Sequence, residues 1–102
     1  MLAHMVYFAL KDKSPESIQR HIAACNKYLT GHEGVTFFAV GTRVPDLTRP
    51  VNDQEFDVGL HVIFADRASH DKYQVHERHV KFIEETKPQW AGARVFDADL
   101  TK

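Results

Sequence analysis

The sequence predicts an α+β domain in which two helices cover one face of a four-stranded antiparallel sheet. Two segments carry apolar residues at helical spacing, and four have the alternation or composition of strands. These segments follow one another in the order β-α-β-β-α-β. A chain of 102 residues, 43% of them hydrophobic, can form one core without disulfide bonds. We therefore predict a single domain over residues 1–102.

The charge and composition of the chain limit its partners. It has 13 Lys and Arg against 14 Asp and Glu, and no basic run is longer than two residues. This argues against binding to nucleic acids or to anionic membranes. No segment approaches the ~20 apolar residues that a membrane span needs. The single cysteine, Cys25, cannot form an internal disulfide and suits a reducing compartment. We expect a cytoplasmic protein whose partners are small molecules or proteins.

The first half of the chain predicts a strand, a helix and a second strand. Residues Ala3 to Leu10 are apolar on both alternations, which indicates a strand buried on both faces. Ser14 is the predicted N-cap of the helix, Pro15 occupies its first turn, and the apolar periodicity ends near Gly31. A β-prone run, Val35 to Gly41, predicts the second strand.

The second half predicts a long loop, a strand, a helix and a last strand. Thr42 to Gln54 has no periodicity, which is typical of a loop. Strict alternation from Phe56 to Phe64 predicts a strand near the centre of the sheet. Asp66 caps the second helix, which must end before Pro88, and Ala93 to Asp99 predicts the last strand. This is the ferredoxin-like order, with both helices on one face of the sheet.

Apolar residues also occur on the sheet face that two helices cannot cover. A two-fold copy of the same chain is the simplest cover for such a surface. At ~25 cal/mol per Å2, burying several hundred Å2 there would offset a substantial association cost. We therefore predict a homodimer with its sheets packed face to face. The alternative is a monomer in which the loop over residues 42–54 folds across this face. The apolar residues concerned are Met5, Tyr7, Ile63, Phe96 and one of Phe37 and Phe38.

Five segments, in order and with compatible spacing, resemble one protein family. They are residues 4–11 (HMVYFALK), 37–41 (FFAVG), 56–60 (FDVGL), 73–82 (YQVHERHVKF) and 95–97 (VFD). Together they span nearly the whole chain and are similar to the stress-responsive A/B barrel (Dabb) domain. The resemblance implies a dimeric α/β barrel built from two ferredoxin-like protomers.

The resemblance also implies which residues could carry chemistry. Plant polyketide cyclases of this family close a ring by intramolecular aldol condensation without a cofactor, and we expect no cofactor here. The tyrosine and histidine of that reaction correspond to Tyr73 and His79, and a first-strand histidine corresponds to His4. A third-strand histidine of the cyclases is replaced by Val58. The proline that commonly follows the mid-helix histidine is replaced by Glu77.

These residues predict a pocket between the helices and the sheet. Tyr73 and His79 are about 240° apart around an unbroken helix, so they diverge unless the helix bends between them. A break near residues 75–77 would let both face one cavity with His4, whereas an unbroken helix would admit only one. The predicted lining of the pocket is Val6, Phe8, Val58, Leu60, His76 and Trp90.

The histidines do not predict a metal site. His76 and His79 are three residues apart, which does not fit the HExxH spacing, so no metal site is expected. His21, His32 and His70 lie in polar surroundings and are predicted to be solvated.

Three functions are compatible with the sequence. The first is binding of a small hydrophobic or aromatic carbonyl compound without turnover. The second is a cofactor-free cyclase or isomerase, in which His79 removes a proton and Tyr73 donates a hydrogen bond to the enolate oxygen. The third is chemistry like that of the quinol-type monooxygenases, which share this barrel. A void shared by Tyr73 and His79 would favour an enzyme, whereas an interior filled by Phe8, Phe82 and Trp90 would favour binding or a structural polar cluster.

Overall fold

The computed structural model describes residues 1–101 and confirms the predicted fold class. Its second helical region is divided in two, so residues 1–101 form four strands and three α-helices. The elements are β1 (Leu2–Leu10), α1 (Pro15–Leu29), β2 (Val35–Thr42), β3 (Val58–Phe64), α2 (Arg67–Val75), α3 (Glu77–Thr86), a 3-10 turn (Lys87–Gln89) and β4 (Trp90–Asp99).

The four strands form one antiparallel sheet in the order β2-β3-β1-β4. β1 and β3 are therefore central, and their alternate side chains are buried under the helices. Val6 is opposite Leu60 on one side and Val95 on the other, so these three side chains share the helix-covered face. We call this the inner face and the opposite one the outer face.

Two strands begin more than one residue away from their predicted start. β3 begins at Val58 rather than Phe56, because Asp57 is held by other contacts: its carboxylate accepts hydrogen bonds from the Leu10 amide and the Lys13 ammonium, both at 2.8 Å. β4 begins at Trp90, three residues earlier than predicted, and follows the 3-10 turn directly.

Helix α1 begins as predicted, with the Ser14 hydroxyl accepting a hydrogen bond from the Ser17 amide. Its buried stripe includes His21, which lies four residues before the fully buried Cys25 and packs 4.4 Å from the Phe8 ring between centroids. The prediction that His21 and His32 are solvated is wrong, since both are more than nine-tenths buried. Helical spacing places His21 on the apolar stripe, and that signal outweighs its polar neighbours in the sequence.

The outer face is apolar and largely open to solvent in the single chain. Phe37 and Phe96 are each 55% exposed, and Phe37 rather than Phe38 lies on this face because it is paired with Ile63. The Tyr7 ring packs edge-on against those of Phe56 and Phe96, with centroids 4.9 Å and 5.9 Å away respectively. No helix among residues 1–101 has the length and apolar character to cross a membrane.

Candidate active site

The second helical region breaks at His76, and this break creates the candidate site. His76 has extended backbone angles (φ -65°, ψ 142°), so it ends α2 and is also the N-cap of α3. Its Nδ1 accepts a hydrogen bond from the Arg78 amide at 3.1 Å. The Arg78 guanidinium in turn donates to the carbonyl oxygens of Thr30 and Lys27 at the end of α1. A side-chain cap therefore replaces the proline of the family pattern.

The break brings Tyr73 and His79 onto the same side of the helical layer. Their ring centroids are 4.7 Å apart, and the Tyr73 ring lies 6.0 Å from His4 on β1. All three side chains line one cavity of about 180 Å3 between the helices and the inner face. Of the two helix geometries that the sequence left open, the broken one is present.

Most of this cavity is apolar. Four of the predicted lining residues, Val6, Phe8, Leu60 and Trp90, are in its wall, together with Phe82. Two predicted lining residues, by contrast, lie elsewhere. Val58 is completely buried under the helices, beyond reach of the void. His76 faces a separate surface cavity with His32 and Arg78, because the break turns it away from the sheet.

His4 has a defined orientation at the sheet side of the cavity. Its Nδ1 lies 2.6 Å from the Asp97 carboxylate on β4, and since an ionised carboxylate can only accept, Nδ1 donates this hydrogen bond. The neutral ring then keeps its lone pair on Nε2, which lies 3.4 Å from the side-chain nitrogen of Gln74. Asp97 thereby selects the tautomer of His4, as the carboxylate does in other His–Asp pairs.

Tyr73 and His79 are both uncharged near neutral pH. Burial lowers the pKa of His79 to about 4, and nearby histidine rings act in the same direction, while a hydrogen bond to the Gln74 backbone opposes them. Burial raises the pKa of Tyr73 above its ordinary value, so the phenol keeps its proton. The cavity therefore contains one hydroxyl donor and two imidazoles within a largely apolar wall.

The sequence did not single out Asp97 or Gln74. Asp97 is 93 residues from His4 and faces it only because β1 and β4 pair in a register that places them directly opposite. Strand register depends on long-range packing, so spacing along the chain carries no signal for this pair. Gln74 is next to Tyr73, and the quoted resemblance segment contained it without assigning it a role.

A comparison against protein families agrees with this fold. The model of the stress responsive A/B barrel domain matches residues 2–100. The chain belongs to this family. None of the curated proteins compared matches the chain.

Several solved structures have the same fold as this chain. A Dabb family protein with a ferredoxin-like fold from Mesorhizobium loti is 26% identical, with a TM-score of 0.81 over 99% of this chain and 97% of that one. A dimeric ferredoxin-like protein of unknown function from Thermobifida fusca is 17% identical, with a TM-score of 0.79 over 97% and 90%. Hydroxynitrile lyase from Passiflora edulis is 19% identical, with a TM-score of 0.77 over 99% and 94%.

Proposed function

We propose that this Dabb protein is a cofactor-independent enzyme that moves protons on a small apolar carbonyl compound. The observation that carries the proposal is the convergence of Tyr73, His79 and the Asp97-oriented His4 on one apolar cavity. An oriented donor and a neutral base are the minimum that enolate chemistry needs. The same fold occurs in a hydroxynitrile lyase, which supports an enzyme on this scaffold.

The roles of the three residues follow from their charge states. The Tyr73 hydroxyl donates a hydrogen bond to the carbonyl oxygen of the ligand and stabilises the negative charge that forms there. His79, which is neutral, takes a proton from the carbon next to the carbonyl. In an isomerase the proton returns to another carbon. In a cyclase the enolate carbon attacks a second carbonyl of the same molecule, and the resulting alkoxide takes the proton.

His4 supplies a second proton carrier on the opposite side of the cavity. Its Nε2 can accept a hydrogen bond from a ligand hydroxyl or take over a proton from the reacting carbon. A carboxylate on the far nitrogen stabilises the imidazolium that forms when the near nitrogen is protonated. Asp97 is in that position.

The size of the cavity limits the ligand. Its volume of about 180 Å3 is close to that of engineered cavities of roughly 150 Å3 that take benzene. We infer that the ligand has one small ring or an equivalent aliphatic body, with its carbonyl near Tyr73.

Binding without turnover is the second candidate. It is favoured by the aromatic wall, in which the Phe8 ring lies 5.1 Å from Trp90 and 6.0 Å from Phe82 between centroids. These rings could hold an apolar ligand while the polar residues only satisfy one another. A monooxygenase-like activity and a cytoplasmic location stay predictions.

We also infer that the functional unit is a homodimer formed through the outer faces. This face carries exposed aromatic residues and a depression of about 430 Å3 between the sheet and residues 51–56. The Asp53 carboxylate pairs with both terminal nitrogens of Arg94 at the edge of this depression, so the loop lies beside the face without covering Phe37 or Phe96. Dimeric proteins of the same fold support this assembly.

The enzyme proposal is tested by hydrogen–deuterium exchange next to a carbonyl. Acetophenone and cyclohexanone are incubated with the protein in D2O, and loss of the signal of the protons next to the carbonyl is followed by NMR. We expect exchange above the buffer rate that falls at least tenfold in Tyr73→Phe and in His79→Gln. Tyr7→Phe is the matched control, because it removes the same hydroxyl from the outer face.

Two other results would count against the proposal. Equal exchange rates for the wild type and Tyr73→Phe would exclude the assigned role of the phenol. Saturation-transfer signals that show ligand binding without any exchange would establish the second candidate instead.

A further inference from the structure

A group of potential metal ligands lies at one end of the candidate site. His4 on β1, His70 on α2 and Asp97 on β4 each offer one ligand atom, and these atoms lie within 4.8 Å of one another. We propose that these three residues form a binding site for Zn2+, with water in the fourth position. Two imidazole nitrogens and one carboxylate oxygen are a donor set that Zn2+ accepts in proteins.

His70 is already held as metal-binding histidines usually are. Its Nδ1 is 3.0 Å from the Asp71 carboxylate, so Nδ1 donates and Nε2 keeps its lone pair. Asp71 also accepts a hydrogen bond from Arg67 at 2.9 Å, which fixes the carboxylate. A carboxylate behind a ligating histidine sets both the tautomer and the direction of the ring. Neither the proposed reaction nor the core packing accounts for this arrangement.

The pair formed by His4 and Asp97 can open to admit the ion. Zn2+ ligands at roughly 2.0–2.2 Å from the metal lie roughly 3.3 Å from one another in a tetrahedral site. The two atoms joined by the present 2.6 Å hydrogen bond must therefore separate slightly. The His70 ligand atom lies within 4.8 Å of them and must move closer by up to about 1.5 Å. The His4 side chain is nearly buried and that of Asp97 is 47% exposed, so the ion can enter on the Asp97 side.

The charges around the site favour a cation. Three carboxylates lie in this region, those of Asp71, Asp97 and Asp99, and all three act on the charge of Arg67. Arg67 forms its ion pair with Asp71 at 2.9 Å, and Asp97 forms none with it. A site with two imidazoles disfavours Mg2+ and Ca2+, which prefer oxygen ligands. Cys25 does not compete, because it is fully buried in the core.

Zinc at this site would change the candidate active site. Binding replaces the proton that His4 shares with Asp97, so the ion and the His4–Asp97 hydrogen bond exclude each other. Zn2+ would therefore inhibit turnover, and this consequence alone rests on the proposed function. The binding itself does not.

The test is direct titration of the purified, untagged protein with Zn2+ in competition with a chromophoric chelator. We expect one Zn2+ per chain, and binding weakened at least tenfold in His70→Ala and in Asp97→Asn. His76→Asn is the matched control, because it removes an exposed histidine while an asparagine can still cap α3. Co2+ bound in place of Zn2+ should give the visible absorption of a tetrahedral site in the wild type and in this control.

Several results would overturn the site. The proposal is wrong if no Zn2+ binds at millimolar concentration, if His70→Ala binds Zn2+ as tightly as the wild type, or if binding is lost in His76→Asn alone. His70→Gln is a second variant at the same position, and circular dichroism spectra of each variant show whether a loss of binding comes from a loss of the fold. If zinc binds as expected but no carbonyl exchange is found, the enzyme proposal fails and the metal site stands.

Discussion

The inner and outer faces of the sheet both carry apolar side chains but differ in what covers them. On the inner face, Phe8, Leu60 and Phe64 are at most 2% exposed, because three helices pack on them. On the outer face, Phe37 and Phe96 remain 55% exposed. The single chain therefore covers the inner face with its own helices and leaves the outer face open. This open face is the surface of the proposed dimer.

The largest expected effect is on assembly. Phe96→Lys places a charge on the apolar outer face, so the proposed dimer should dissociate at micromolar concentration. Size-exclusion chromatography with light scattering measures the mass. Val75→Lys is the control, because Val75 is 78% exposed at the end of α2, away from this face. A Phe96→Lys variant with the same mass as the wild type would mean that the outer face is not the interface.

The second prediction concerns the stability of one protomer and compares a phenylalanine in the inner core with one on the outer face. In the Phe96→Lys background, Phe82→Ala should lower the free energy of unfolding by about 3–5 kcal/mol, because Phe82 is 2% exposed and packs on Phe8. Phe37→Ala, the same change on the outer face, should cost no more than about 0.5 kcal/mol. Urea denaturation measures both. Similar losses for the two variants would contradict the difference in covering.

The smallest effect comes from acid. Burial lowers the pKa of both His21 and His79 to about 4, against an ordinary value of 6.5. As the pH falls from about 6.5 to 4, the unfolded chain binds protons that the folded chain excludes, so the free energy of unfolding decreases; above about 6.5 it is fully restored. The loss is of the order of a few kcal/mol for His21, and smaller for the less buried His79.

Urea denaturation at fixed protein concentration, at pH 7 and at pH 4.5, measures this dependence. His21→Phe removes one of the two groups and should leave a clearly weaker pH dependence. An unchanged dependence in this variant would show that His21 is not buried in its uncharged form.

The sequence predicted the element order and the inner core closely. Apolar periodicity and helix caps, such as Ser14 before α1, depend on residues close in sequence, so the sequence is enough to predict them. The break at His76 was left open, because an imidazole cap and the contacts of Arg78 replace the expected proline. The burial of His21 was missed, since its polar neighbours concealed its place on the helical stripe.

The sequence by itself predicted which segments become strands and helices, and it predicted apolar residues on a sheet face that its two predicted helices cannot cover. These properties follow from the spacing of apolar residues, which a chain carries in linear form. Only the tertiary structure decided that His4 and His79 line one cavity, that Asp97 pairs with His4, and that His70 lies beside this pair. Those contacts depend on strand register and on the angle of one helix break, both of which are set by packing between residues distant along the chain.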